Sequence, residues 1–450
     1  MTEFLDKHFG KIFLSLLVLR YIILYTNNLN LYADEAQYYY WSQNLDFGYY
    51  SKPPLISLII ALSTKIFGTN EFGVRFFAPL FHALTALIMK QIAGEFYSKK
   101  LAKTIAIAYL AIPALALSSI IISTDVLLLT FWSLSIYLFL KVINSSQKLP
   151  VTILLGISLG LGMLSKYNMF LFWVGGFVYL IYTKKLKENF WYCAIASFAA
   201  LIIFSPNFYW NFANDFVSFR HTKDISKLDH SSFNIPKLIE FLAGQFALIG
   251  PVLLCIIIKS ARKYKDPLFM ISAAGILPFI ILSLTSGANI NWASVAYPGL
   301  LVLGIASYQG RFLNAAILTN IVLSFVVITL AHVNFTNFDP LYRTKGWDHY
   351  GDVITETYYE NKAENVLIDE RKLLSWALYY TKLPNSVIYK ISDYKDIKDH
   401  YDLTKRFEGY HNNSLIVTKD CNKNYGKLVK RFKPLESVNK SPDICLYFYE

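Results

Sequence analysis

Asp34-Glu35-Ala36 follows the first apolar segment of the chain, residues 11–27, and Ser51-Lys52-Pro53-Pro54 comes soon after it. Two carboxylates, a lysine and a proline-stiffened turn therefore stand where the chain leaves a predicted membrane helix. Charged groups beside a bilayer are costly, so such a cluster is a candidate functional site by default. The role of these charged residues has to be inferred together with the rest of the sequence.

The composition is typical of a polytopic membrane protein. Of 450 residues, 54% are hydrophobic and 16% are charged, whereas soluble domains have about 45–50% apolar and about 25% charged residues. The net charge is +12, but residues 332–450 hold 18 Lys and Arg against 17 Asp and Glu, which leaves +11 for residues 1–331. Basic residues in short loops between apolar segments indicate orientation signals, and we expect no nucleic-acid partner.

About eleven apolar segments are long enough to cross a hydrocarbon core of about 30 Å. The first lacks a small-residue cleavage site, so we predict a retained helix and not a signal peptide. The predicted spans are residues 11–27, 76–93, 104–122, 125–143, 151–165, 167–183, 190–206, 237–258, 267–285, 293–308 and 312–331.

Three basic loops predict the orientation of these spans. With the N-terminus in the cytoplasm all three face the cytoplasm, as the positive-inside rule requires. The loops 28–75 and 207–236, the turn 286–292 and the tail then face outward. The basic residues are Lys99, Lys100, Lys103, Lys184, Lys185, Lys187, Lys259, Arg262, Lys263 and Lys265.

Beyond residue 331 the long apolar segments give way to short ones. We therefore predict an all-α polytopic membrane domain over residues 1–331 and a small α/β extracytoplasmic domain over residues 332–450. The strand-like runs are 365–369, 386–390, 414–418 and 444–449, and the helix-like stretches are 347–361 and 370–381.

The cysteines divide by location. Cys193 and Cys255 lie within predicted spans and are expected to be packing residues. Cys421 and Cys445 lie in the tail, outside the cytoplasm, where a disulfide can persist. The alternative is a pair of unbonded core cysteines.

The first outer loop, 28–75, is unusually aromatic. Residues 34–45 could form a short amphipathic helix on the membrane interface, with Asp34 near its N-terminus, because Tyr and Trp favour the headgroup level. The alternative is an aromatic anchor without chemistry. The aromatic residues are Tyr32, Tyr38, Tyr39, Tyr40, Trp41, Tyr49 and Tyr50.

The same predicted outer face collects further polar residues. Asp125 opens the fourth span, and Lys166 lies between the fifth and the sixth. The remaining members are Asn207, Trp210, Asn211, Arg220 and His221 after the seventh span, and Asn289, Asn291 and Trp292 before the tenth.

Carboxylates and cations on one face suit transfer chemistry on a lipid-borne, phosphate-containing substrate. An acceptor hydroxyl or amine needs a base, for which Asp34 is the candidate. A departing phosphate needs positive charge where its own charge develops. Lys52 and Arg220 are the first candidates for this task, followed by Lys166 and Arg75.

Each of these residues also has a structural interpretation. Asp34 or Asp125 could cap a helix, since Asp at a helix start accepts backbone N–H bonds. Lys166 could extend to the interface, and Arg75 could be a headgroup anchor. Lys52 could be solvated. Their convergence on one face favours function over these separate explanations.

The motifs around Asp34, Lys52-Pro53-Pro54-Leu55 and Thr124-Asp125 resemble those of bacterial family 39 glycosyltransferases. These are membrane enzymes of the GT-C fold, related to protein O-mannosyltransferases and lipid A aminoarabinose transferases. The similarity covers roughly residues 30–310, and it continues through Glu71-Phe72-Gly73-Val74-Arg75, Leu164-Ser165-Lys166-Tyr167, Trp210-Asn211, Asn291-Trp292 and Ala296-Tyr297-Pro298.

The resemblance implies transfer of a sugar from a polyprenyl phosphate, with inversion at the anomeric carbon. It implies that Asp34 is the catalytic carboxylate, that Lys52 binds the lipid phosphate and that Asp125 supports the site. The relatives often carry a basic residue where this chain has Gln37. We further expect Tyr297 on the donor side, and Glu35, Tyr50, Trp210, Asn211, Asn291 and Trp292 at the acceptor or the sugar.

No cofactor is required by such an attack, although Asp34, Glu35 and Asp125 could bind a divalent metal. The predicted acceptor is a lipid A or lipopolysaccharide-type glycolipid, with a protein as the alternative, at the outer face of a bacterial inner membrane. A lipid-linked glycan transporter or flippase is a rival, but it would need charges at the membrane midplane. An O-antigen ligase or polymerase and a non-catalytic lipid-binding assembly factor are further alternatives.

Overall fold

The structure is a computed structural model that describes residues 2–145, 148–226, 233–308, 312–392, 397–409, 411–423 and 425–450. The chain forms two compact units. Unit 1 comprises residues 1–25, 52–56 and 75–328, and unit 2 comprises residues 26–51, 57–74 and 329–450. Most of the first predicted outer loop thus belongs to the same unit as the tail.

The domain boundary at residue 331 stays a prediction, and the predicted loop 207–236 lies partly outside the described residues.

The chain up to His332 is helical, as its apolar segments predict. Some of the helices are joined by short 3₁₀ helices, at Tyr167–Met169, Lys259–Lys263 and Ile290–Ala296, and by a short π-helix at Ala93–Tyr97. The helices are α1 Thr2–Thr26, α2 Ala33–Gln43, α3 Leu55–Phe67, α4 Glu71–Arg75, α5 Phe77–Ile92, α6 Ala102–Leu110, α7 Pro113–Ser118, α8 Thr124–Asn144, α9 Leu149–Ser165, α10 Phe170–Tyr182, α11 Leu186–Ala213, α12 Val217–Ser226, α13 Ile235–Ile249, α14 Pro251–Ile258, α15 Pro267–Ser283, α16 Tyr297–Ser307 and α17 Phe312–His332.

The apolar helices make this a multi-pass membrane protein, but the predicted count of about eleven spans is not confirmed. Six helical stretches of the described chain are long and apolar enough to cross a membrane, and a pair bent by 108° adds a seventh. Four more apolar helices are shorter, namely Leu55–Phe67, Leu149–Ser165, Tyr167–Tyr182 and Pro267–Ser283.

The span predicted at 104–122 is wrong as a single helix, because α6 and α7 are separate there. Pro113 lacks an N–H and disfavours the helical conformation at Ile112, which is extended. The buried Arg20 of α1 donates hydrogen bonds to backbone oxygens on both sides of this break. It donates to the Leu110 oxygen at 2.5 Å and to the Leu115 oxygen at 3.1 Å.

The predicted span 237–258 is bent between α13 and α14. Gly250 adopts a φ of 91°, which favours glycine, and Pro251 begins the next helix. A Cβ at Gly250 would lie 1.8 Å from Asn320 Oδ1, so the close approach of α17 also requires glycine. Asn320 Nδ2 donates to the Ile249 oxygen at 2.8 Å and satisfies a carbonyl at the helix end.

The tail forms a small α/β fold around one five-stranded sheet, as predicted. The strand order is β2-β1-β3-β5-β4, in which β2, β1 and β3 are parallel and β5 runs antiparallel to β3 and β4. The elements are α18 Trp347–Glu360, β1 Asn365–Ile368, α19 Arg371–Tyr380, β2 Ile388–Lys390, α20 His400–Thr404, β3 Ser414–Thr418, β4 Lys427–Phe432 and β5 Ile444–Tyr449.

The strand β4 was not predicted. It lies at an edge of the sheet, and Lys427, Lys430 and Arg431 interrupt its apolar pattern. Charged side chains on an edge strand oppose pairing with other chains. Cys421 and Cys445 are joined by a disulfide, with 5.5 Å between their Cα atoms.

The aromatic residues of the first loop pack inside unit 2, so their prediction as membrane-interface residues is wrong. The helix α2 is confirmed, but its Tyr38, Tyr40 and Trp41 are buried, as is Tyr49 beyond it. The rings of Trp41 and Tyr49 stack at 4.4 Å between centroids. His400 of α20 packs edge-on against both rings.

Burial makes His400 a source of acid sensitivity, because it lowers the pKa of this side chain from 6.5 to about 4. An unfolded chain would take up a proton near pH 6.5, whereas the folded chain would not until about pH 4, so stability should fall as the pH falls through this window. The full shift corresponds to roughly 3 kcal/mol. We expect His400→Gln to lose less stability than the wild type between pH 7 and 4.5, measured by tryptophan fluorescence during thermal unfolding.

The exposed His349 of α18 provides the control. His349→Gln should keep the pH dependence of the wild type. Parallel pH profiles for the wild type and His400→Gln would contradict this explanation.

Candidate functional site

The start of α2 places Asp34 in the first helical turn. The neighbouring Glu35 is buried, and its Oε2 accepts a hydrogen bond from the Tyr32 backbone N–H at 2.8 Å. The first turn of a helix has unpaired N–H groups and a positive end, which carboxylates stabilise. Glu35 thus fixes the helix start, while the Asp34 side chain remains 43% exposed.

The Asp34 carboxylate is held by a cation from the tail. Arg371 Nη1 donates to Asp34 Oδ1 at 3.0 Å and also donates to Gln37 Oε1. Burial lowers the pKa of Arg371, but the charge and hydrogen bond of Asp34, together with Tyr401 and Tyr38, leave the pKa above its ordinary value. A guanidinium therefore lies beside Gln37, the position where the resemblance led us to expect a basic residue.

Sequence reasoning missed Arg371, although a signal was available. Arg371 and Lys372 open α19. Cations in the first helical turn are opposed by the helix dipole, so they do not contribute to helix stability there. Such a pair suggests a partner outside the helix, but the sequence could not say that the partner is Asp34.

Several contacts within unit 2 fix the segment that leads into α2. Trp376 Nε1 donates to the Leu31 oxygen at 2.9 Å, and the Leu31 N–H donates to the Tyr380 hydroxyl at 2.6 Å. The Trp347 N–H donates to Asn30 Oδ1 at 2.9 Å, and the rings of Trp347 and Trp376 stack. The orientation of α2, and with it the position of Asp34, thus depends on α18 and α19.

Lys52 and Tyr50 lie in the connection that follows α2. Lys52 is half-buried and precedes the buried Pro53 and the start of α3. Tyr50 is buried in unit 2, where its hydroxyl donates to the Ile397 oxygen at 3.4 Å.

A second carboxylate–cation pair lies in unit 1. Asp125, in the first turn of α8, accepts from Lys166 Nζ at 2.7 Å with Oδ1 and from Asn291 Nδ2 at 2.9 Å with Oδ2. The side chains of Lys166 and Asp125 are only 10% and 14% exposed. The predicted members Asp125, Lys166 and Asn291 are thus brought together, and both Asp125 oxygens bind side chains.

Another polar network of unit 1 joins the end of α9 to α11. The Tyr167 hydroxyl donates to Asn207 Oδ1 at 3.1 Å and accepts from Asn211 Nδ2 at 3.3 Å. Trp210 is buried on the same helix. Arg220 lies on α12, where it is exposed and donates to the Asp215 backbone oxygen.

Three other predicted residues are partly or fully inside the protein. Arg75 is fully buried at the end of α4. Tyr297 is buried, and its hydroxyl donates to Gln245 Oε1 at 2.5 Å. Gln245 in turn donates to the Ile290 oxygen at 3.2 Å, so this pair supports the turn that carries Asn291. Trp292 packs against Phe279.

The carboxylates Asp34, Glu35 and Asp125 are not grouped as ligands of a metal ion. Within the described residues, no group of three or more His, Cys, Asp or Glu side chains is placed to hold one. The side chains predicted as possible ligands contact Arg371, the Tyr32 backbone and Lys166. The donor set present does not fit a bound divalent cation.

The chain is similar in sequence to known membrane-linked transferases. Residues 51–210 match the sequence profile of the family described as dolichyl-phosphate-mannose-protein mannosyltransferase. The lipid A galacturonosyltransferase RgtD of Rhizobium johnstonii is 30% identical over 295 residues, which are 64% of this chain and 62% of RgtD. The matched region thus spans less than two thirds of that relative.

Solved structures show the fold. ArnT from Cupriavidus metallidurans matches in its apo state and in its undecaprenyl phosphate-bound state, each with a TM-score of 0.65 and 12% identity. The matches cover 98% and 97% of both chains, respectively. The predicted resemblance to GT-C-type membrane glycosyltransferases is therefore confirmed, and so is the predicted fold class.

Removal of Lys166 tests the buried pair of unit 1. Lys166→Met would leave Asp125 as a buried carboxylate without its cation, which should lower the free energy of unfolding by about 3–5 kcal/mol. Asp125→Asn combined with Lys166→Met should recover most of this loss. Unfolding in detergent, followed by circular dichroism, measures both effects.

Lys141 lies on α8, the helix that carries Asp125, and provides a matched control. Its ion pair with Glu95 is about one third exposed. Lys141→Met should change the free energy of unfolding by less than about 1 kcal/mol. Equal losses in Lys141→Met and Lys166→Met would show that the pair with Asp125 has no special role.

Proposed function

We propose that this protein is an inverting glycosyltransferase that moves a single sugar from a polyprenyl-phosphate donor to an acceptor of the bacterial envelope. The observation that carries the proposal is the state of Asp34. Its carboxylate is held in place by Arg371, yet nearly half of its surface stays accessible. A general base needs both a fixed position and access to the proton that it removes.

In the proposed reaction Asp34 takes the proton from the acceptor hydroxyl. The acceptor oxygen then forms a bond to the anomeric carbon, while the bond from that carbon to the phosphate oxygen breaks on the opposite face. The electron pair of the broken bond stays on the polyprenyl phosphate. No bond to the protein forms, which is consistent with inversion in a single displacement.

The developing charge on the phosphate requires cations. We assign this role to Lys52 and Arg220, with Arg75 as a weaker candidate because it is fully buried. Lys166 is bound to Asp125, so we assign these two residues, with Asn291, to supporting the site in unit 1. Glu35 and Tyr297 have positioning roles through their contacts with Tyr32 and Gln245.

The relatives support the substrate classes. The matched curated relative is named for transfer of a sugar to lipid A, and one matched ArnT structure holds undecaprenyl phosphate. We therefore propose a lipid A or lipopolysaccharide-type acceptor, with a protein acceptor as the alternative. Tyr50, Trp210, Asn211 and Trp292 are proposed contacts of the acceptor or the sugar.

The proposed location is a bacterial inner membrane, with the N-terminus in the cytoplasm and the tail in the periplasm. This orientation rests on the basic loops of the sequence. A transporter, a flippase or an O-antigen ligase is not favoured, because the matches in sequence are named for transfer of mannose or galacturonic acid.

Replacement of the proposed base should abolish transfer without abolishing donor binding. Asp34→Asn keeps an oxygen for Arg371 but is a poor base, so we expect the rate to fall about 10²–10⁴-fold. Lys52→Ala should instead weaken donor binding. Purified variants would be assayed with radiolabelled polyprenyl monophosphate sugars and envelope glycolipids, for transfer and for donor binding separately.

Two residues of the same loop provide matched controls. Asp46→Asn removes an exposed carboxylate, and Lys65→Ala removes an exposed cation of α3. Both variants should transfer sugar at the wild-type rate. Full transfer by Asp34→Asn would refute the assignment of the base.

Arg371 is proposed as a positioning residue for Asp34. A lysine at this site keeps the charge, but its ammonium ends one bond closer to the backbone than Nη1, the nitrogen that contacts both Asp34 and Gln37. We expect Arg371→Lys to lower kcat by about tenfold with an unchanged donor Kd. Lys372→Ala, which removes the exposed neighbouring cation, should leave both values unchanged.

The division between kcat and Kd distinguishes the roles of Arg371. A loss of donor affinity at constant kcat would place its guanidinium on the phosphate and not on the base. If Arg371→Lys lowered the unfolding temperature but left kcat and the donor Kd unchanged, Arg371 would have only a structural role.

A further inference from the structure

The carboxyl ends of the parallel strands in the tail meet at one edge of the sheet. In open α/β sheets, ligands bind outside the carboxyl ends of the strands. The binding site lies where the connections from two neighbouring strands leave in opposite directions. Here β1 is followed by α19 and β2 on one side and has β3 on its other side. Asp369 follows β1, and Ser392 comes soon after β2.

A polar cavity of about 260 Å³ opens at this edge. Its volume is near the lower limit of about 300 Å³ for small-molecule sites, which suits one small polar ring. Most such sites are largely apolar, whereas this cavity has one aliphatic member. The lining residues are Asp369, Lys390, Ile391, Ser392, Lys398, Asp402, Lys423 and Tyr425.

Internal ion pairs build the walls of the cavity. Lys390 Nζ forms a buried pair with Asp399 at the start of α20. Asp369 Oδ2 accepts from Lys423 Nζ at 3.1 Å and from Thr418 Oγ1 at 2.8 Å. These contacts fix the cations and carboxylates of the walls.

One buried acceptor in the cavity lacks a hydrogen-bond donor. Asp402 Oδ2 accepts the backbone N–H groups of Lys398 and Asp399, but Asp402 Oδ1 has no hydrogen-bond partner, and Lys390 Nζ lies 3.9 Å away from it. The Asp402 side chain is only 1% exposed. Ser392 Oγ is a second buried group without a partner. Buried polar groups are almost always paired, so both atoms indicate a ligand with hydroxyl donors.

The rim of the cavity supplies cations and an aromatic ring. Lys398 is exposed and has no ion pair within the part of the chain that the structure describes, and the Lys423 side chain is 46% exposed. These ammonium groups suit a carboxylate or a phosphate. Tyr425 adds an aromatic ring to the lining, and Lys423 Nζ lies over this ring at 5.5 Å from its centroid.

We propose that this edge of the sheet binds a saccharide that carries a carboxylate or phosphate group. Hydroxyl groups of the ring donate to Asp402 Oδ1 and Ser392 Oγ, and the acidic group accepts from Lys398 and Lys423. None of these residues belongs to the pairs of Asp34 or Asp125. The site is therefore a carbohydrate-binding function beyond the proposed transfer reaction.

The test is equilibrium binding of free sugars to the full chain in detergent, by calorimetry. Galacturonic acid and glucosamine 6-phosphate are the acidic probes, and galactose is the neutral one. We expect an acidic probe to bind at least about tenfold more tightly than galactose, because a charge-assisted hydrogen bond is added. The better of the two acidic probes identifies the group as a carboxylate or a phosphate.

Two variants test the contacts. Asp402→Asn keeps an oxygen for the backbone N–H groups but turns an amide donor toward the cavity, and it should weaken binding about tenfold. Lys398→Ala should weaken only the acidic probes. Lys427→Ala, on the exposed strand β4, should bind like the wild type.

The outcome is independent of the transfer reaction. Asp34→Asn should bind the acidic probe as the wild type does, even though it should not transfer sugar. Absence of binding by both acidic probes at millimolar concentration, equal binding of galactose, or unchanged binding in both Asp402→Asn and Lys398→Ala would each overturn the proposal.

Discussion

The contact between Arg371 and the start of α2 is the interaction on which the proposed chemistry of unit 2 depends. Asp34 and Gln37 come from the first loop, and the guanidinium that binds both comes from a helix more than 330 residues later. A carboxylate beside a helix start is stabilised by the helix itself, but only a partner from elsewhere can fix its rotamer. Trp376 Nε1 and the Tyr380 hydroxyl, both on that partner helix, bind the backbone of Leu31 and hold the helix against the loop.

Local patterns allowed much of this protein to be predicted. The apolar segments predicted the helices of unit 1, and the short runs after residue 331 predicted β1, β3, β5, α18 and α19 almost to the residue. The aromatic stretch after Asp34 predicted α2 as an amphipathic helix over residues 34–45, close to the observed Ala33–Gln43. The edge strand β4 was missed because its charges break the apolar alternation on which strand prediction depends.

What could not be predicted depends on distant partners. The aromatic residues of the first loop have the composition of a membrane interface, yet unit 2 buries them. At the break before Pro113, Arg20 supplies a donor to the Leu110 oxygen at the end of α6. Asp125 and Lys166 could each be explained alone, as a cap and as an interfacial lysine, until their ion pair was seen. In each case the sequence gives the residue type but not its neighbour.

The bonding of Leu31 has a consequence for biosynthesis. Its backbone groups pair with Trp376 and Tyr380, which lie 345 and 349 residues later. At roughly 5–20 residues per second, the ribosome needs roughly 20 to 70 seconds to make that stretch. During this interval the backbone groups of Leu31 have to bind water or a chaperone instead of the side chains of Trp376 and Tyr380. A chain released before Arg371 is made would carry Asp34 without its cation, so premature termination yields an inserted but chemically incomplete protein.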